Sequence, residues 1–250
     1  MQTADHRALF ERNGFVVIRQ LLPAEELSQL QENLARYIRD VVPALPDADA
    51  FYDDRARPET LKQLQRMGQD PFFESYQSHP RWVSVAETLL GEPAIAEQPE
   101  WFNKPPRTNH VTPPHQDNYY FCLTPPSVLT IWLALDDADA ENGCLRYVAG
   151  SHQHGFRTHA RSKILGFSQG ISDFTADDFT REIAVTLRAG DAVAHHGMTI
   201  HRADANMSAT RNRRSFAMVF KGISCQRDEA AYARYLASAR QQHQQLGLKT

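Results

Sequence analysis

Residues 127–135 read "SVLTIWLAL", a short apolar run rich in β-branched residues that predicts a strand. Similar segments follow between the turn signals Asn142-Gly143, Gly150-Ser151 and Gly190-Asp191; they are "CLRYV" (144–148), "REIAVTLR" (181–188), "DAVAHH" (191–196) and "RRSFAMVF" (213–220). Strands in series without alternating helices indicate a mainly antiparallel sandwich or barrel. We expect this β core at about residues 93–222.

The preceding residues 1–92 are predicted to be rich in helix. A short helix capped by Asp5 ends at Gly14, and "GFVVIR" (14–19) then reads as a brief strand. Apolar residues at helical spacing predict three further helices: Leu27, Leu30, Leu34, Ile38 and Val41 in the first, Leu61, Leu64 and Met67 in the second, and Trp82, Val85, Ala86 and Leu89 in the third.

A polar C-terminal helix is predicted at about residues 227–246. The chain therefore reads as one α+β domain over residues 1–250, with flanking helices that are mostly N-terminal. Residues 155–180 carry few strand signals and include Gly166 and Gly170. This composition predicts a long loop, and a loop of that length in a compact domain is typical of a lid or of a disordered segment.

The composition narrows the possible functions. A net charge of −3 argues against a general nucleic-acid binder, because phosphate binding needs a basic surplus. The polar N-terminus lacks the apolar core of a signal peptide, and the longest apolar run is too short to span a bilayer. The three cysteines form no CxxC pair. We expect a cytoplasmic protein without membrane or nucleic-acid partners, as a monomer or homodimer.

The segment "PPHQDNYYF" (113–121) places His115 and Asp117 two residues apart. In a strand such residues share a face, where both can bind one metal ion. A third ligand is available among His195, His196 and His201 in "GDAVAHHGMTIHRADAN". Two histidines and one carboxylate with open positions are typical of non-haem Fe(II) oxygenases. Zinc is the competing metal, although structural zinc sites are usually closed and rich in cysteine.

A cluster of arginines opens the last predicted strand, in "SATRNRRSFAMVF" (208–220). An iron enzyme that uses a dicarboxylate cosubstrate needs a fixed cation for the distal carboxylate, and the planar guanidinium suits that task. Arg211, Arg213 and Arg214 are the candidates, with a solvated surface cluster as the alternative.

Taken together, these blocks resemble the phytanoyl-CoA dioxygenase family of Fe(II)/2-oxoglutarate-dependent oxygenases. The resemblance covers nearly the whole chain. It is carried by "FERNGFVVIRQLLPAEEL", "FNKPP", "PPHQDNYYF", "LTIWLALDDADAENGCLRYVAGSHQHG", "LRAGDAVAHHGMTIHRADANMS" and "RNRRSF", in this order. It implies a double-stranded β-helix, a jelly-roll variant, with extra helices along one side.

The resemblance also implies roles for individual residues. His115, Asp117 and His201 match the metal ligands, because His201 precedes the N-x-S landmark at Asn206 and Ser208. The cosubstrate arginine matches Arg213, and Arg214 remains the alternative because one additional residue separates the landmark from the arginine pair. The expected neighbours of the cosubstrate are Trp132, Asn103 and Lys104.

The implied reaction uses Fe(II), 2-oxoglutarate and O2 to hydroxylate an unactivated C–H, and it releases succinate and carbon dioxide. Asn118, Tyr119, Tyr120 and Phe121 follow the metal ligands and are expected to contact a small or medium polar metabolite. Arg107, Arg146, Arg161 and Lys163 could bind an anionic substrate. Two other readings are a non-catalytic small-molecule-binding protein on the same scaffold and a jelly-roll zinc hydrolase.

Overall fold

The computed structural model describes residues 3–109, 111–164 and 167–245, and antiparallel strands form its centre. Within these residues the α-helices are α1 (Thr3–Asn13), α2 (Ala24–Asp40), α3 (Pro71–Glu74), α4 (Pro80–Leu90), α5 (Asn118–Phe121), α6 (Ala176–Thr180) and α7 (Glu229–Gln245). The strands are β1 (Phe15–Ile18), β2 (Ala50–Tyr52), β3 (Leu61–Leu64), β4 (Ala94–Ala96), β5 (Glu100–Lys104), β6 (Thr112–His115), β7 (Leu123–Thr124), β8 (Val128–Ala134), β9 (Leu145–Val148), β10 (His159–Ile164), β11 (Phe167–Ile171), β12 (Glu182–Ala184), β13 (Ala192–His196), β14 (His201–Ala203), β15 (Arg213–Gly222) and β16 (Gln226–Arg227).

Two antiparallel sheets form the core. The larger sheet has the order β1-β13-β8-β15-β5-β3-β2, and β4 also pairs with β15. The smaller sheet has the order β12-β9-β14-β6. Two-stranded ribbons, β10–β11 and β7–β16, flank them. The expected α+β fold with a jelly-roll core is confirmed, and within the described residues the sheets stay open rather than closing into one barrel.

The central strand β8 separates two apolar layers. Leu129, Ile131 and Leu133 point to one face, where they pack with the helices in the main core cluster. Trp132 and Ala134 point to the other face, where they pack against the smaller sheet. Successive side chains in a strand point to opposite faces, so a strand covered on both sides is apolar throughout. This double burial explains the unbroken apolar run in the sequence.

Most of the predicted helices and strands are confirmed. Helix α2 follows Pro23 and buries Leu30 and Leu34, and helix α4 begins at Pro80. Helix α4 ends at Gly91, whose φ of +75° is the left-handed conformation that glycine adopts without steric cost. Among the described residues, no helix combines the length and the apolar character needed to cross a membrane.

The helix predicted from Leu61, Leu64 and Met67 is wrong, because this segment contains strand β3. The pairing of β3 with β2 shifts register between Phe51 and Tyr52, which leaves Lys62 as an extra residue. Such a bulge brings Leu61 and Leu64 onto the same face, although they are three residues apart. Both leucines join the main core. A bulged strand therefore imitates the apolar spacing of a helix.

The long loop predicted at residues 155–180 is also wrong in part. This segment contains the antiparallel ribbon of β10 and β11 and the short helix α6. Thr175 and Asp178 cap α6 reciprocally, and Arg157 pairs with Asp178 and Asp173. These polar contacts give the segment a regular structure that its low strand propensity did not indicate. Its role as a lid remains a prediction.

Candidate metal and cosubstrate site

Three metal-ligating side chains converge between the two sheets. His115 Nε2 lies 3.3 Å from Asp117 Oδ1, and His201 Nε2 lies 3.5 Å from the same oxygen. The three ligand atoms lie within 4.8 Å of one another, and all three residues are buried. The structure therefore brings together the three residues that the sequence singled out.

Strand pairing explains how His115 and His201 meet. Strands β6 and β14 are neighbours, and the two histidines are direct partners in the register. Asp117 arrives differently from the prediction, because β6 already ends at His115. Asp117 lies in the helical region immediately before α5, at φ −58° and ψ −37°. The turn into a helix, and not strand alternation, carries its carboxylate back toward the imidazoles.

Backbone carbonyls fix the orientation of both imidazoles. His115 Nδ1 lies 2.8 Å from the Pro113 carbonyl, and His201 Nδ1 lies 3.0 Å from the Thr199 carbonyl. A carbonyl oxygen can only accept, so each Nδ1 carries the proton and each Nε2 keeps its lone pair. Burial lowers the pKa of His201 well below its usual value, and the nearby His115 and His195 lower it further. A neutral His201 is the form that binds metal.

The two oxygens of Asp117 have different surroundings. Oδ2 accepts a 2.7 Å hydrogen bond from the Thr130 hydroxyl and a 3.0 Å hydrogen bond from His195 Nε2. Oδ1 faces the two Nε2 atoms. Burial opposes the charge on Asp117, but the surrounding imidazoles of His201, His115 and His195 bring its pKa well below the usual range. The carboxylate is therefore ionised and can offer one oxygen to a metal.

His195 and His196 take positions outside the convergent set. His195 donates from Nε2 to Asp117, and its Nδ1 accepts a 3.0 Å hydrogen bond from the Tyr147 hydroxyl. His196 points away, and its Nδ1 accepts a 3.0 Å hydrogen bond from the Met198 N–H. This geometry favours His201 as the third ligand, although sequence spacing alone had left all three histidines open.

Arg213 and Arg214 lie on opposite faces of β15. Arg214 forms two hydrogen bonds with Asp136, at 2.9 and 2.7 Å. Arg213 is 4% exposed and lines the same cavity as the three ligands, and its Nε has no hydrogen-bond partner among the described residues. Burial lowers the pKa of Arg213 to about 10. Arg213 is thus a buried cation whose environment lacks a matching anion.

The other expected cosubstrate neighbours also line this cavity. The Arg213 guanidinium lies 5.3 Å from the ring centroid of Trp132, which is a cation–π distance. Lys104 is the register partner of Arg213, and its Nζ donates to the carbonyls of Ala203 (3.3 Å) and Asp204 (2.5 Å). Burial, followed by the charge of Arg213, lowers the pKa of Lys104 well below its usual value.

Asn103 also lines this cavity. Its amide donates to the Leu61 carbonyl at 3.3 Å and so links β5 to β3. Asn206, the first residue of the N-x-S landmark, donates 2.7 Å hydrogen bonds to the carbonyls of Lys104 and Arg211. These bonds fix the start of β15 next to the end of β5. They explain why this landmark precedes a correctly placed Arg213.

Residues 118–121, the expected substrate contacts, differ in their position relative to the cavity. Tyr120 and Phe121 line the cavity, but Asn118 and Tyr119 are absent from its lining residues. The Asn118 side chain is buried and hydrogen bonds to the backbone of Leu123 in both directions. Tyr119 stacks on His159, with ring centroids 4.0 Å apart. The first two residues of α5 thus direct their side chains away from the cavity, and the structure does not support their assignment as substrate contacts.

The cavity has a volume of about 540 Å³, within the range of small-molecule sites. Arg107, Arg146 and Arg161 lie outside its described lining, and the Lys163 side chain lies outside the described part of the chain. Arg146 instead pairs with Asp204 at 2.6 Å. The structure therefore does not support an anionic substrate site formed by the three arginines. Sequence reasoning also missed Thr130, whose hydroxyl is unremarkable within an apolar strand.

Comparisons with known proteins agree with this site. A probable phytanoyl-CoA dioxygenase of Caenorhabditis elegans is 29% identical over 222 residues, covering 82% of this chain and 70% of that protein. EvdO2 from Micromonospora carbonacea var. aurantiaca, solved with 2-oxoglutarate, is 27% identical with a TM-score of 0.70, covering 89% of this chain and 91% of EvdO2. The epimerase SnoN, solved with Fe3+, alpha ketoglutarate and nogalamycin RO, shares the fold at 23% identity and a TM-score of 0.72, covering 89% and 84% of the two chains.

The fold and the buried His–Asp–His constellation define a jelly-roll oxygenase of the 2-oxoglutarate-dependent class. The profile of the phytanoyl-CoA dioxygenase (PhyH) family matches residues 10–215. The chain belongs to this family, and the resemblance inferred from its sequence blocks is confirmed. Family membership favours an oxidoreductase over the binding protein and the zinc hydrolase that the sequence had left open.

Proposed function

We propose that His115, Asp117 and His201 hold Fe(II) on one face, through Nε2, one carboxylate oxygen and Nε2. The convergence of these three buried donors is the observation that carries the proposal. Two imidazoles and a carboxylate leave three coordination positions free for cosubstrate and dioxygen. Thr130 and His195 occupy the second oxygen of Asp117, which keeps the carboxylate monodentate.

We further propose that Arg213 binds the distal carboxylate of 2-oxoglutarate. A buried guanidinium without a protein anion is a strong site for a dicarboxylate, because a charge-assisted pair forms where water is excluded. Trp132 packs against this guanidinium, and Lys104 lies at the same end of the cavity. Arg214 is less suited to the task because Asp136 already neutralises it.

The chain is an Fe(II)/2-oxoglutarate-dependent oxygenase. When bound, iron, 2-oxoglutarate and O2 supply the oxidation of a C–H bond, coupled to the formation of succinate and carbon dioxide. The protein orients the cosubstrate through Arg213, positions the substrate C–H at the metal end of the cavity and excludes water with the aromatic wall of Tyr120 and Phe121. We propose hydroxylation of a small or medium polar metabolite as the net reaction.

The same proposal includes the cellular setting. We infer one catalytic domain over residues 1–250, acting in the cytoplasm as a monomer or homodimer on a small molecule, without nucleic-acid or membrane partners. The net charge of −3 supports the absence of nucleic-acid binding.

The test is anaerobic reconstitution with Fe(II) and 2-oxoglutarate, followed by exposure to O2. Wild-type protein should form the coloured Fe(II)–2-oxoglutarate complex and release succinate. His201→Ala should lose both signals, whereas His196→Ala should retain them, because His196 points away from the convergent set. Loss of the complex in His196→Ala together with retention in His201→Ala would contradict the ligand assignment.

A further inference from the structure

The half of the cavity away from Arg213 is lined by side chains that accept hydrogen bonds. Glu100 lies on β5 at the register position of Ala217, which is itself the partner of Trp132. Strands β5 and β8 are separated by β15 alone, so Glu100 is about 10 Å across the sheet from the strand that carries Thr130. Glu100 therefore faces the same cavity as the metal site, at a distance that a small substrate can span.

Three glutamines surround this position. Gln63, Gln65 and Gln98 line the cavity beside Glu100, and we call these four residues the amide wall. Within the described residues, no hydrogen bond is found for the side chains of the amide wall. Their oxygens and amides are therefore available to a ligand.

Three other charged residues on this side of the cavity form ion pairs within the protein. Lys62 pairs with Asp53 at 2.8 Å, Arg66 pairs with Asp49, and Glu97 pairs with Lys221. Glu100 has no ion pair among the described residues. It is thus an acidic group on this wall whose charge the protein leaves uncompensated.

The surroundings of Glu100 favour the arrival of a cation. Burial and, after it, the negative charge of Asp117 raise the pKa of Glu100 to about 7, with Arg66 partly offsetting both. A positively charged ligand would stabilise the ionised carboxylate, whereas a second anion would be repelled. Tyr235 of α7 also lines the cavity, and tyrosine faces attract ammonium groups, whereas the Tyr232 ring is already covered by Arg227, whose guanidinium lies 4.3 Å from the ring centroid.

We propose that Glu100 binds a protonated amine of the substrate, so that the substrate is a small organic amine with its reacting carbon a few bonds from the nitrogen. This inference rests on the proposed function, because it assigns Arg213 to the cosubstrate and leaves the amide wall to the substrate. The cavity is then divided by charge: the dicarboxylate binds at the Arg213–Lys104 end, and the ammonium binds at the Glu100 end.

The experiment uses the anaerobic protein loaded with Fe(II) and 2-oxoglutarate. The probes are n-butylammonium and n-butanol, which match in length and differ in charge. Binding is followed by the perturbation of the Fe(II)–2-oxoglutarate absorbance and by thermal unfolding. Wild-type protein should bind butylammonium at least tenfold more tightly than butanol. Glu100→Gln should lose this preference, and Glu100→Asp, which keeps the charge, should retain it.

Glu97→Gln is the matched control, because Glu97 lies on the same wall but already pairs with Lys221. It should keep the preference for the amine. Equal binding of the two probes to wild-type protein, failure of both to bind, or an unchanged preference in Glu100→Gln would overturn the inference alone, provided that the absorbance of the complex is intact. Absence of the complex in wild-type protein would overturn the proposed function, and this inference with it.

Discussion

At the scale of single residues, the site is defined by which polar side-chain atoms already form hydrogen bonds within the protein. The Nδ1 atoms of His115 and His201 donate to carbonyls, and Oδ2 of Asp117 accepts from Thr130 and His195. The Nε2 atoms of the two histidines and Oδ1 of Asp117 face one another. Metal affinity should therefore depend on the partners of the ligands as well as on the ligands themselves.

Thr130→Val tests this dependence. Valine keeps the shape of threonine but removes the hydroxyl that holds Oδ2 of Asp117, so the carboxylate can rotate. We expect Fe(II) binding to weaken by about 10- to 100-fold, as is usual for the loss of a ligand's hydrogen-bond partner. Titration of the metal-free protein measures this change. Thr130→Ser retains the donor and should bind iron like wild type; equal weakening in both variants would point to packing instead.

Arg213→Ala should raise the requirement for 2-oxoglutarate. Removing one member of a desolvated ion pair costs roughly 2–5 kcal/mol, which corresponds to at least a 30-fold increase in the dissociation constant. Titration of the anaerobic Fe(II) protein with 2-oxoglutarate measures it. The control is Arg214→Ala, whose partner Asp136 lies on the other side of the sheet; its affinity should stay within a few-fold of wild type. The reverse pattern would show that the cosubstrate binds to Arg214.

At the scale of secondary structure, the sequence predicted elements better than it predicted their irregularities. Regular strands and helices follow from apolar periodicity, as in β8 and α4. Strand β3 was missed because a bulge at Lys62 places Leu61 and Leu64 on one face. The helical turn at Asp117 was missed because short turns have little periodicity of their own. Both irregularities lie beside the cavity, where they aim side chains into it.

Strand β13 ends at a histidine, His196, whose neutral form is required. His196 Nδ1 accepts the Met198 N–H, and a protonated imidazole could not accept it. Burial lowers the pKa of His196 to about 4, with further contributions from His152 and His195. Since the unfolded chain takes up this proton near pH 6.5 and the folded protein does not, stability is complete above that pH and falls as the pH drops toward 4.

We expect His196 to account for about 2 kcal/mol of the stability that the metal-free protein loses between pH 7 and pH 5. His196→Gln should lose correspondingly less, because glutamine offers a carboxamide oxygen to Met198 without titrating. Urea unfolding of both proteins at the two pH values isolates this contribution from that of the other histidines. An identical pH dependence of the two proteins would show that His196 is already accessible to protons.

At the scale of the whole molecule, the site depends on contacts between segments far apart in sequence. The proposed metal ligands come from the smaller sheet and its following turn, while Thr130, Trp132 and Arg213 come from the larger sheet. Short motifs in the sequence singled out these ligand candidates and Arg213. They could not identify Glu100, because its importance depends on which charges around the cavity are already paired. Only the structure shows that Glu97 is paired with Lys221 and so distinguishes Glu100 from it.

The ribbon of β10 and β11 is connected directly to the metal site. Gln116, between the two metal-ligand candidates, donates from Nε2 to the carbonyls of Gly155 (2.9 Å) and Met198 (2.8 Å). Its Oε1 accepts the Arg157 N–H at 2.9 Å. On the other side, the Tyr120 hydroxyl donates to the Gln169 carbonyl at 2.7 Å. The ribbon and the segment leading into it are therefore hydrogen bonded to residues adjacent to the metal-ligand candidates.

If residues 155–180 act as a lid, binding of Fe(II) and 2-oxoglutarate at the site should slow the opening of this segment. Anaerobic addition of Fe(II) and 2-oxoglutarate fixes the backbone at Gln116, so amide hydrogen exchange in β10 and β11 should become slower than in the metal-free protein. Gln116→Ala removes the three hydrogen bonds of the side chain; ligand-induced protection should then persist in β6 and β14 but disappear from the ribbon. Helix α4, packed on the far side of the larger sheet, serves as the internal reference and should exchange alike in all states. Slowed exchange in β6 and β14 of wild-type protein without any change in the ribbon would show that the ribbon moves independently of the site, and the lid would have to be sought elsewhere along the cavity.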